Sequence, residues 1–227
     1  MQQTTGKTFK RLGMIAALLL CTSCAFAHSI NYALENAPSN EVVWFYLQLG
    51  FKHIVPYGID HILFVAGLCL LSTNIKAIFW QATAFTVAHS ITLALSMKNI
   101  IVAPGAVVEP IIALSIVFVA VENILLTGLK PWRIGVVFLF GLIHGMGFAS
   151  ALNETGLPAG KFYTSILAFN VGVELGQVAV IAAMFAFIIL PLRNKIWYRK
   201  GVVYTLSTII ALIATYWTVQ RVFFMGA

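Results

Sequence analysis

Residues 76–97 read KAIFWQATAFTVAHSITLALSM. After Lys76 the run contains no further Asp, Glu, Lys or Arg. A helix of about 20 such residues, rising 1.5 Å each, crosses the roughly 30 Å hydrocarbon core of a bilayer. Apolar and polar residues do not alternate as in a barrel strand, so a helix is the form that satisfies this backbone in lipid. Working outward, comparable runs occupy about 56–73, 105–127, 132–152, 163–191 and 202–224. The pattern predicts an all-α fold: a polytopic membrane helix bundle of about six transmembrane helices over residues 56–227.

Composition agrees. The chain is 60% hydrophobic and 9% charged, where a soluble domain carries about 25% charged residues. The net charge of +7 does not point to nucleic acid, because the basic residues sit in short turns beside apolar runs. Upstream, Lys7, Lys10 and Arg11 precede the short apolar stretch Leu12–Leu20 and the small-residue site Ala25-Phe26-Ala27. Residues 1–27 are therefore expected to be a cleaved signal peptide. Acylation at Cys24 is a rival reading, but no Leu stands three residues before it. Residues 28–55 are expected to form a periplasmic segment whose stretch 42–53, with Trp44, Phe45 and Tyr46, fits an amphipathic interfacial helix.

With the N-terminus outside, Lys76, Lys130, Arg133, Arg193, Lys195, Arg199 and Lys200 fall on the cytoplasmic side, and Lys52, Lys98, Lys161 and Arg221 outside. This is the positive-inside bias expected in a bacterial-type inner membrane, and Trp80, Trp132 and Trp197 fall at the same inner boundary. Two spans share a pattern, Phe85-x-x-x-His89-Ser90 and Phe140-x-x-x-His144-Gly145, which a parallel duplication or plain close packing would both produce.

Ionisable groups at mid-membrane cost about 2.5–3.5 kcal/mol on insertion scales and usually have partners inside the bundle. The candidates are Asp60, His61, His89, Glu109, Glu122, His144 and Glu174. Counting 1.5 Å per residue puts His89 roughly 20 Å and His144 about 18 Å from the inner boundary. Asn170 and Glu174 lie about 10–17 Å below the outer surface by the same count. Asp60 and His61 lie about one turn below that surface. Asp60, His61, His89, His144 and Glu174 thus share the outer half of the membrane, with Glu109 near and Glu122 apart at the inner end. His53 and Asn170 are accessory candidates. Cys69 is the one cysteine left after signal cleavage, so a metal here would use nitrogen and oxygen ligands. That donor set suits a divalent transition metal ion such as Ni, Co, Zn or Fe. A single intramembrane His is as readily a helix–helix hydrogen bond; several at matched depth point to metal or proton handling.

The segments Gly58-Ile59-Asp60-His61-Ile62-Leu63-Phe64, Ala84-Phe85-Thr86-Val87-Ala88-His89-Ser90-Ile91-Thr92, Glu109 and Gly141-Leu142-Ile143-His144-Gly145-Met146-Gly147-Phe148-Ala149 resemble the second branch of the HupE/UreJ family of hydrogenase and urease accessory proteins. The resemblance covers about residues 50–220. It implies a signal-bearing inner-membrane protein regarded as a nickel, or cobalt, permease, with metal handling at Asp60 and His61. The family's first-span motif is H-P-x-x-G-x-D-H. Here His53 stands seven residues before Asp60, and Pro56 does not follow it directly.

The resulting expectation is a permease rather than an enzyme. A divalent ion enters from the periplasm and binds Asp60, His61, His89 and His144, with Glu174 compensating charge. Its partners are the lipid bilayer, the ion and an unspecified acceptor of metal. An intramembrane zinc hydrolase and a haem carrier with His89 and His144 as axial ligands are the rival readings. No nucleotide-binding motif, G-x-S-x-G or H-E-x-x-H occurs in the chain.

Overall fold

The computed structural model describes residues 34–155 and 157–224. The expected signal peptide, Cys24 and His28 lie outside the described residues. Seven principal helices run α1 (Ser39–Ile54), α2 (Ile59–Leu70), α3 (Ile75–Met97), α4 (Gly105–Leu125), α5 (Arg133–Thr155), α6 (Phe162–Met184) and α7 (Tyr204–Phe224). No strand occurs among the described residues. The described part of the chain is all-helical.

Among the described residues, four helical stretches are long and apolar enough to cross a membrane: Ile75–Met97, Gly105–Leu125, Ala159–Leu192 and Tyr198–Phe224. A fifth is obtained if α1 and α2, bent by 67° at their junction, form one broken span. The apolar part of α5, Arg133–Ala149, is shorter. The expected count of six is therefore four or five on length and hydropathy.

The first expected span, 56–73, is the one that changes most. Pro56 cannot continue a helix and forces the residue before it out of the α region. Val55 accordingly adopts φ −120° and ψ 116°. The helix resumes only at Ile59 and lasts 12 residues, about 18 Å at the α-helical rise.

That short helix is the centre of the bundle. Eight of the 12 residues in α2 are buried, among them Phe64, Val65, Leu68 and Cys69, as expected for a helix that is apolar all round. Around it the long helices pack in pairs, α3 with α5, α1 with α6, and α4 with α7. The two spans that share the Phe-x-x-x-His pattern are thus packing partners. Their contact requires small residues: a Cβ on Gly145 would overlap the His89 carbonyl oxygen and Thr92 Oγ1. The stretch expected to lie at the interface, 42–53, forms most of α1 and packs along α6 through Val42, Tyr46 and Gly50, with Trp44 left exposed. Trp80, Trp132 and Trp197, at the basic end of the bundle, are each about half exposed, as aromatic residues at a headgroup level are.

Candidate metal centre

Four imidazoles from four helices meet beside the α1–α2 break. His53 comes from the last turn of α1, His61 from the first turn of α2, His89 from the middle of α3 and His144 from α5. The break makes this possible. Gly58 sits so close to the carbonyl of His53 that a Cβ there would overlap it, so the chain turns back within a few residues and sets His53 beside His61.

One ring nitrogen from each of His53, His61 and His89 lies within 4.8 Å of the others. The ring centroids of His53 and His61 are 4.7 Å apart, and those of His61 and His144 5.2 Å. His61, His89 and His144 are 4%, 0% and 1% exposed, and His53 is partly buried. Phe64, Phe85, Phe148 and Phe169 wall the cluster: Phe148 stands 3.8 Å from the His53 ring centroid and Phe85 4.8 Å from that of His144.

The hydrogen bonds decide which nitrogens are free. His61 Nδ1 donates to Asp60 Oδ1 at 3.0 Å, and that oxygen also accepts the His61 backbone N–H at 2.9 Å. His144 Nδ1 donates to the Phe140 carbonyl at 2.8 Å. His89 Nδ1 lies 3.1 Å from Asn170 Oδ1. The Asn170 amide is oriented by its own NH2, which donates to the Ile166 carbonyl at 2.8 Å, so His89 Nδ1 must be the donor. Each of these acceptors fixes a proton on Nδ1 and leaves a lone pair on Nε2. The Nε2 atoms of His53, His61, His89 and His144 are all buried and have no hydrogen-bond partner among the described residues. Buried polar atoms without partners are rare in folded proteins. Three of these rings have the opposite nitrogen tied to an acceptor, and His53, His61 and His89 bring a ring nitrogen within 4.8 Å of one another with His144 beside His61; histidines that ligate metal are oriented in the same way.

The other expected site residues fall elsewhere. Asp60 holds His61 from behind through Oδ1 rather than completing the ring of lone pairs. Asn170 takes the same part for His89. Glu174 accepts from Thr83 Oγ1 at 2.6 Å, away from the imidazoles. Glu109 pairs with Arg221, its Oε2 4.0 Å from Nε. Glu122 pairs with buried Arg133 at 2.9 Å, where Asn123 Nδ2 also donates to the Gly67 carbonyl at 2.8 Å; this cluster ties the inner ends of α2, α4 and α5. His53, expected only as an accessory, is a full member of the group. The signal for it was the Pro56 and Gly58 pair, which lets the chain reverse between His53 and His61. The part played by Arg133 had no signal in the sequence beyond its being a basic residue at a span boundary.

Comparison with curated proteins and with solved structures finds no match for this chain. A protein-family model described as HupE / UreJ protein matches residues 28–221. That match spans nearly the whole chain and includes every imidazole of the cluster, so this apolar, all-helical membrane protein belongs to the HupE/UreJ family.

Proposed function

We propose that this protein is a permease that carries a divalent transition-metal ion, nickel first and cobalt second, across the inner membrane to the cytoplasm through the four-imidazole cage. The observation that carries the reading is the set of four buried, unpartnered Nε2 atoms. An all-nitrogen set of neutral imidazoles favours borderline ions over Mg or Ca, which prefer oxygen. Nitrogens that share one ion at about 2.1 Å stand roughly 3.0–3.4 Å apart, so loading the ion draws the rings of His53, His61 and His89, now within 4.8 Å of one another, together by up to about 1.5 Å. The phenylalanine walls exclude water, so the ion gives up its hydration shell to the imidazoles. Asp60 behind His61 supplies negative charge without occupying a ligand position. Release follows when helix movement parts the nitrogens, as in transporters whose site lies between packed helices.

The test is uptake of radiolabelled nickel by cells expressing the full chain, with membrane content measured in parallel. His61→Ala and His89→Ala should each reduce uptake to background while the protein stays in the membrane. Undiminished uptake by both variants overturns the proposal.

A further inference from the structure

Polar side chains continue from the cage along the seam between α3 and α6, toward the end of the bundle that carries Lys76 and Arg193. Asn170, which holds His89, is followed one helical turn later by Glu174 on the same face of α6. On α3, Thr83 lies six residues before His89, about 9 Å along the axis. Thr83 Oγ1 donates to Glu174 Oε1 at 2.6 Å, and Thr86 Oγ1 donates to Gln177 Oε1 at 3.3 Å. Glu174 is half-buried, yet its second oxygen, Oε2, is itself buried and has no hydrogen-bond partner among the described residues. No Lys, Arg or His forms an ion pair with it among the described residues. A mid-membrane carboxylate with one hydroxyl donor and one bare oxygen is costly unless a cation or a proton completes it, and its place on the seam beside the imidazoles favours a cation in transit.

We propose that Glu174, with Thr83, forms a second cation station: an oxygen-donor site one step beyond the imidazole cage, taking the same divalent ion on its way to the basic end. The inference rests on the reading that the cage binds the ion. Its chemistry is the complement of the cage. Four nitrogens hold a borderline ion tightly, whereas one carboxylate and one hydroxyl, the remaining positions filled by water, hold it weakly. Conduction needs sites favourable enough to enter and weak enough to leave. A nitrogen site followed by an oxygen site gives that descent in affinity. The station also accounts for Glu174 being one turn away from the imidazoles rather than among them.

The experiment titrates the purified full-length protein in detergent with Co2+ alone, by visible absorption and calorimetry, and measures uptake in cells. Wild-type protein should show one tight class with nitrogen-rich bands and one weak class. Glu174→Gln should remove the weak class, leave the tight class within twofold of wild type, and lower uptake at least tenfold. Glu174→Asp should restore the weak class, and Thr83→Val should weaken it several-fold. Glu174→Gln retaining both classes and wild-type uptake overturns the station, as does loss of both classes in Glu174→Gln, which would place the carboxylate inside the cage. Loss of the tight class in His61→Ala with the weak class retained supports two separate sites. A tight class that survives in His61→Ala overturns the cage instead, so the two failures are distinguishable.

Discussion

Replacing Asn170 by Leu removes the only acceptor for His89 Nδ1 among the described residues while keeping a side chain of similar size. His89 is 0% exposed, so water cannot take the place of the lost oxygen. Two outcomes are open to the ring. It keeps its proton on Nδ1 without a partner, which costs about 1–3 kcal/mol as a buried unsatisfied donor. Alternatively the proton moves to Nε2, and the lone pair that faces the cage is lost. Removing the group that orients a ligating histidine typically lowers metal affinity 10–100-fold, about 1.4–2.8 kcal/mol at 1.4 kcal/mol per tenfold. Asn170→Leu should therefore weaken nickel binding by that range, measured by competition with a chromophoric chelator on purified protein. Asn170→Asp, which keeps an acceptor oxygen facing Nδ1, should recover most of the loss. An affinity within twofold of wild type for Asn170→Leu would refute both the tautomer assignment and the role of Nε2.

Three further outcomes follow from the packing. Gly145→Ala places a methyl against the His89 carbonyl and Thr92 Oγ1; overpacking of this kind costs about 1–3 kcal/mol, so the thermal midpoint in detergent should fall and nickel affinity with it. Arg133→Met leaves Glu122 buried without its cation, a loss of about 3–5 kcal/mol; thermal unfolding should show the drop, and adding Glu122→Gln should recover most of it. If α1 and α2 form one broken span, Ser39→Cys should react with a membrane-impermeant maleimide on intact spheroplasts, and Ser72→Cys only after permeabilisation. Labelling of both from outside would exclude that crossing.

Helix limits were legible in the sequence because the length of an apolar run and the limit of a membrane helix share one cause. The run expected at 76–97 is the helix Ile75–Met97, and that expected at 105–127 is Gly105–Leu125. Depth was legible too, since a fixed rise per residue converts position into height, and His61, His89 and His144 do meet. Rotation about each helix axis was not. Glu109 faces Arg221 instead of the imidazoles, and Glu174, on the face of Asn170, meets Thr83 one turn farther toward the basic end. Height alone cannot tell which neighbour a side chain meets. His53 was hidden for a different reason: its position depends on a reversal at residues 55–58 that interrupts the helix count. The division of labour between Asp60 and His61 was equally hidden, because adjacent residues on a helix diverge by about 100° and only coordinates show which of them faces the cage.

The anchors behind the rings differ in what they are attached to. His61 and His144 are held by groups on their own helices, Asp60 on α2 and Phe140 on α5, so each moves as a unit with its support. His89 alone is held from another helix, through Asn170 on α6, and α6 is also the partner of α1, which carries His53. The site therefore divides mechanically into two bodies, α1 with α6 and α3 with α5, with α2 lying between them. A small shear of one body against the other moves His53 away from His89 and breaks the His89–Asn170 bond in the same stroke. An ion held by the proposed cage would brace the two bodies against that shear, and the shear would part His53 from the ion while loosening the support of His89, so affinity and helix position would be two readings of a single coordinate.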